Sequence, residues 1–87
     1  MTVTGTLVRV GAIGGESTGW AIQFDSEINI DGKHAISIEV DYPQTKKLDE
    51  LENKRVKATG KLSRRYGVEM GERSVLDISS ITEANGR

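Results

Sequence analysis

From Trp20 the chain alternates. The even positions read Trp20, Ile22, Phe24, Ser26, Ile28 and Ile30; the odd positions read Ala21, Gln23, Asp25, Glu27, Asn29 and Asp31. Only an extended backbone puts these sets on opposite faces, so the segment is expected to be a half-buried strand with its even residues inward. The next run keeps the parity, with Ile36, Ile38 and Val40 expected inward and Ala35, Ser37, Glu39 and Asp41 outward. Between the runs lies Asp31-Gly32, a dipeptide suited to a tight hairpin turn. A two-residue loop there pairs Ile30 with Lys33 and sets every even residue against an odd one. A three-residue loop, Ile30-Asp31-Gly32 with Gly32 in the left-handed region, instead pairs Ile28 with His34 and Phe24 with Ile38. That register is the expectation.

Upstream, residues 3–10 predict a strand of mixed parity, Val3 and Leu7 against Val8 and Val10, with a bend at Gly5. Downstream the period changes. Between Pro43 and Asn53, Leu48 and Leu51 lie three apart among Lys, Glu and Asp, which predicts a short helix burying one narrow stripe. Residues 54–65 predict a fourth strand, with Val56, Ala58 and Leu62 on one parity and a bend at Gly60. Residues 73–82 predict a fifth, with Val75, Leu76, Ile78 and Ile81 as its apolar content. Residues 83–87 are expected to fray. The pattern T-G-[TK]-L occurs at Thr4-Gly5-Thr6-Leu7 and again at Thr59-Gly60-Lys61-Leu62. Two copies do not make a repeat architecture; they predict two equivalent strands, each bending at its glycine around a closed barrel.

The order of three strands, a helix and two strands, with Leu51, Lys54, Val56, Gly60 and Leu62 around the fourth strand, resembles the OB-fold superfamily. The likeness is one of pattern, covers nearly the whole chain, and extends to small bacterial OB-like domains. It implies an all-β fold with one short helix: a five-stranded Greek-key barrel plugged by a helix between its third and fourth strands. An SH3-like barrel is the alternative, and the helix before the fourth strand argues against it. At 87 residues the chain is expected to be one domain, residues 1–87, with a modest stability margin.

Composition removes most chemistry. There are no cysteines, hence no disulfides, thiolate zinc sites or thiol nucleophiles. That suits the cytoplasm, a processed exported protein being the other reading. No apolar run approaches the ~20 residues of a membrane helix. His34 is the only histidine and lies beside a predicted hairpin, away from any nucleophile it could activate. Asp25, Glu27 and Asp41 are expected on a solvated face rather than in environments that separate their pKa values. The run Asp25-x-Glu27-x-Asn29-x-Asp31-Gly32 has its glycine eighth and Ile36 twelfth, where a calcium loop needs Gly sixth and Glu twelfth. The glycine-rich segment 11–19 lacks the Gly-Lys-Ser/Thr of a phosphate cradle and carries Glu16. The expectation is no enzyme, no cofactor and no metal.

Charge is uneven: residues 1–43 carry two bases against six acids, and residues 44–87 carry ten bases against seven acids. The OB resemblance implies oligonucleotide binding across the second and third strands, flanked by the first and last hairpin loops. That face offers Gln23, Asp25, Glu27, Asn29, Ser37, Glu39 and Asp41, with neither an aromatic platform nor a base, and its carboxylates oppose a phosphate backbone. The positive signal is the last hairpin, where Arg64, Arg65, Tyr66, Met70 and Arg73 are the candidate partner-binding residues, extended along the fourth strand by Lys54, Lys57 and Lys61. The competing reading pairs those arginines with Glu69 and Glu72. Trp20 is expected in the core, with a mouth-pocket position as the other reading. The expected function is a non-enzymatic binding module that contacts a protein or small ligand through its first and last hairpin loops. Single-stranded nucleic-acid binding through the last loop and fourth strand is the alternative, and an assembly subunit the third reading. No motif names the partner or fixes the oligomeric state.

Overall fold

Alternation becomes sheet over most of the chain. A computed structural model describes residues 1–11, 18–30, 32–67 and 71–84. The elements are β1 (Thr2–Arg9), β2 (Trp20–Ile30), β3 (Lys33–Asp41), α1 (Thr45–Leu51), β4 (Arg55–Gly67) and β5 (Gly71–Glu83). The strands close into one barrel in the order β1-β2-β3-β5-β4. All neighbours are antiparallel except β3 and β5, which run parallel. This is the OB-type arrangement, with its helix between the third and fourth strands. Among the described residues no helix is long and apolar enough to cross a membrane.

The inward residues meet inside the barrel: Val3 and Leu7 of β1, Ile22 of β2, Ile38 and Val40 of β3, Val56 and Ala58 of β4, Leu76, Ile78 and Ile81 of β5. α1 adds Leu48 and Leu51, both buried. A helix of seven residues is too short to hold itself, so the burial of those two leucines fixes it. It fills only part of the interval from Pro43 to Asn53: it begins at Thr45, the backbone leaves helical geometry at Glu52 (ψ 132°), and Asn53 follows with φ 66°. The Asn53 N–H donates to the Leu7 carbonyl at 2.7 Å and the Leu7 N–H to the Lys54 carbonyl at 3.0 Å, tying the helix exit to β1.

The repeated glycines do the same work twice. Gly5 faces Phe24 of β2, and a Cβ on it would overlap the Gln23 carbonyl oxygen; a Cβ on Gly60 would overlap the Asp77 carbonyl oxygen of β5. Each glycine lets a neighbouring backbone approach, and at Gly60 the β4–β5 register shifts as well. The mixed parity of the first strand resolves simply: Val3 and Leu7 point inward, while Val10 is exposed beyond the strand's end.

The β2–β3 hairpin corrects the expected register. Ile30 pairs with Lys33, Asn29 with His34 and Ile28 with Ala35, so the loop has two residues rather than three. Gly32 has φ 79°, and its N–H donates to Asn29 Oδ1 at 2.9 Å; Asp31 lies outside the described residues. Farther from the turn, Gln23 pairs with Ser37, Ile22 with Ile38 and Ala21 with Glu39. The parity conflict of the two-residue loop is therefore absorbed by a bulge, in which residues 24–27 of β2 stand opposite Ile36 alone. The inward assignments of Ile36 and Ser26 fail for the same reason: Ile36 is 71% exposed and Ser26 is exposed, while Ala35 turns partly inward. Phe24 and Ile28 remain partly buried against the core.

The last hairpin runs two residues farther toward its tip on each strand than expected. β4 runs on to Gly67 and β5 from Gly71 to Glu83. The expected fraying does not begin at Glu83, since the Ala84 N–H still donates to the Arg55 carbonyl at 2.8 Å; residues 85–87 lie outside the described residues.

Candidate functional site: a groove between two hairpins

The parallel β3–β5 ladder covers only Glu39–Asp41 against Val75–Asp77. Toward the hairpin tips the two strands separate. Residues 33–38 of β3 then have β2 as their ladder partner on one edge and, among the described residues, no strand on the other. Residues 71–74 of β5 are paired with β4 alone in the same sense. A bulge bends its strand, and here it lies at the root of the β2–β3 hairpin, next to the point where the β3–β5 ladder ends.

A cavity of about 350 Å³ fills the gap, with Ile30, Lys33, Ala35 and Ile38 on one side and Arg73 and Ser74 on the other. It continues into a second of about 270 Å³ that shares Ile30, Lys33, Arg73 and Ser74 and reaches Arg64 and Glu72. Together they form one groove with an apolar floor and a charged rim.

The candidate residues of the last hairpin divide by face. Arg73 and Glu39 form an ion pair with Nε to Oε1 at 2.5 Å, their side chains only 14% and 12% exposed. The Thr18 N–H donates to Glu39 Oε2 at 2.6 Å, and the Thr18 hydroxyl to the Val40 carbonyl at 2.5 Å. Burial pushes the Glu39 carboxyl up, but hydrogen bonds from Arg73 and the Thr18 amide outweigh it, so the group sits below its ordinary value. Arg65 bridges Asp41 at 2.9 Å and Asp77 at 2.5 Å. Its hydrogen bond to Asp41, helped by Asp77, holds the guanidinium above its ordinary value despite partial desolvation. Arg64 donates to Glu72 at 3.1 Å. Tyr66 is 78% exposed. Met70 and Glu69 lie outside the described residues, as do residues 12–17 of the glycine-rich loop.

The three arginines thus share one hairpin, and each is held by carboxylates. The pairing with Glu72 is as the competing reading had it; Glu39, Asp41 and Asp77 are partners the sequence did not reveal. The carboxylates of the expected acidic face each have a nearby nitrogen partner, an arginine for Asp25, Glu39 and Asp41 and His34 for Glu27. Asp25 accepts from Arg55 at 2.5 Å and raises its guanidinium, and Glu27 lies 3.2 Å from His34. Lys54 sits 3.9 Å from Glu83, while Lys57 and Lys61 are exposed along β4.

Trp20 is buried, and the Arg9 guanidinium stacks 4.3 Å from its ring while also binding Asp49 and Glu52 of the helix region. This is a structural clamp rather than a mouth pocket. Ile30, Lys33 and Ser74 were not among the candidate residues. The signal that could have found them was the parity conflict across Asp31-Gly32, because a two-residue turn between mismatched strands demands a bulge, and a bulge redirects the hairpin. Comparison of the chain with protein-family models, with curated proteins and with solved structures finds no match.

Proposed function

We propose that this chain is a non-enzymatic binding module, akin to the OB-fold superfamily, whose ligand lies in the groove between the β2–β3 and β4–β5 hairpins. The observation that carries the reading is the early end of the β3–β5 ladder, which leaves two strand edges and an apolar floor facing one open space. Binding sites favour concave surfaces with a few convergent polar groups, and the groove has that composition. A cysteine-free chain of this kind fits the reducing cytoplasm.

The oligonucleotide mode of the superfamily is less well supported. Base stacking contributes about 1–3 kcal/mol per base, and among the described residues Tyr66 is the one largely exposed aromatic. Arg64, Arg65 and Arg73 would have to leave carboxylate partners to meet phosphate.

The test is selection from a phage-displayed random dodecapeptide library on the wild-type chain and on Ser74→Trp, which fills the groove. Peptides that bind the wild type and are lost on Ser74→Trp support the reading; peptides retained equally by both overturn it. Fluorescence anisotropy with a labelled oligothymidylate across a salt series covers the other class. Sub-micromolar affinity with a steep salt slope, abolished by Arg64→Ala with Arg65→Ala, would replace this proposal with the nucleic-acid one.

A further inference from the structure

We propose that the occupant of the groove is an extended acidic peptide that adds as a strand to the open edge of β3. The inference rests on the groove-binding reading and specifies what the groove holds.

In an antiparallel ladder the main-chain groups of successive residues point alternately toward and away from the partner strand. A two-residue turn is closed by a hydrogen-bonded pair, here Ile30 and Lys33, so Ile28 and Ala35 form the next such pair and Asn29 and His34 the non-hydrogen-bonded pair between them. His34 and Ile36 therefore turn their N–H and C=O groups to the open side. Donors and acceptors repeating every second residue, at about 6.6 Å, match another extended polypeptide; a sugar–phosphate backbone has no such alternation. The open stretch of residues 33–38 spans about 20 Å, enough for a six- to eight-residue peptide.

The edge also lacks the usual protection. Exposed strand edges are ordinarily blunted by charge, proline or a covering segment. Here Lys33 stands at the turn end, while Ala35, Ile36, Ser37 and Ile38 carry no charge at all. Ile36 is 71% exposed, and a strand laid along the edge covers it from the side.

The titratable groups lining the groove are Lys33, His34, Glu39, Arg64, Glu72 and Arg73. Glu39 is held by Arg73 and Glu72 by Arg64, while Lys33 has no carboxylate partner among the described residues, and His34 lies beside Glu27, which is outside the groove. A carboxylate side chain on the incoming strand complements Lys33.

The probe is a fluorescein-labelled, acetylated octapeptide amide of alternating Val and Glu, measured by anisotropy. Hydrogen exchange is followed on the chain alongside it. The expected result is saturable binding with slowed exchange at His34 and Ile36. Lys33→Glu should weaken binding at least tenfold and Ile36→Thr about threefold, both exposed positions whose variants keep the wild-type circular dichroism. N-methylating alternate peptide amides in one phase should abolish binding, and in the other phase should leave it within twofold. Equal binding of the two N-methylated series, still sensitive to Ser74→Trp, would remove strand addition and leave the groove reading in place. No binding of the octapeptide, or slowed exchange at His34 and Ile36 with oligothymidylate in its stead, would overturn the proposal.

Discussion

Arg73 reaches Glu39 across the seam between β3 and β5, at the point where their ladder stops and the groove opens. Glu39 is in register with Val75, two residues beyond Arg73, so the ion pair spans the first gap that backbone hydrogen bonds do not bridge. The Thr18 amide on the second carboxylate oxygen brings the base of the first hairpin loop into the same clasp.

Removing one member of a shielded pair strands the other. Glu39→Gln and Arg73→Met are each expected to lower stability by about 2–4 kcal/mol, measured by urea unfolding. The double variant should lose clearly less than the two single losses added together, and strict additivity in the double-mutant cycle would show that the two side chains act independently.

The same carboxylate sets a pH dependence. Its folded pKa is depressed, so its contribution is fully present above the ordinary glutamate value of 4.5 and is lost as pH falls through the folded value. Stability is expected to decline on acidification below about pH 4.5, more steeply in the wild type than in Glu39→Gln. Parallel acid limbs in the two proteins would contradict this.

Gly5→Ala and Gly60→Ala should each be severe, because the new methyl meets a neighbouring main-chain oxygen that cannot move without opening a ladder. A loss of about 2–4 kcal/mol is expected at each site, with reduced expression as the cellular counterpart. Alanine tolerated at both positions would mean that the barrel bends elsewhere.

At Gly32 the constraint is conformational alone, since nothing lies within 4 Å of the place a Cβ would occupy. Gly32→Val should cost about 1 kcal/mol or more, while Gly32→Asn, which tolerates positive φ, should cost about half as much or less. Thermal unfolding of the two variants side by side distinguishes backbone strain from crowding.

These contrasts bear on what the sequence could reveal. Ile22, Ile38 and Val40 alternated cleanly, and Leu48 and Leu51 marked the helix, because periodicity reports directly on which face is buried. The recurring Thr-Gly pair pointed to two equivalent positions, and at both a neighbouring strand's carbonyl leaves no room for a Cβ. The hairpin register was not legible, because a three-residue loop and a bulge both reconcile the parity of Ile30 and Lys33. Nothing in residues 24–27, which lack glycine and proline, marks the bulge. The fate of the arginines was hidden for a different reason. Glu39 and Arg73 are 34 positions apart and meet only across a parallel seam, which local pattern does not encode. Tyr66, whose environment is set within its own hairpin, is exposed as expected.

Barrel closure has a consequence for how fast this chain reaches its native state. The β1–β4 seam joins Thr2 to Thr59 and Thr6 to Arg55, and the β3–β5 seam joins Glu39 to Val75. The two hairpins need only local contacts and can form in about 1–10 μs, whereas sheets dominated by such distant pairings fold in milliseconds to seconds. The arms of the groove are therefore assembled first, and the seams that rigidify them come last. During that interval a nascent chain presents β3 with both its open stretch and its future β5 contact uncovered. Refolding yield should then fall with protein concentration in a way that equilibrium stability does not predict, and an Ile36→Lys charge on that edge, at a position 71% exposed, should raise it.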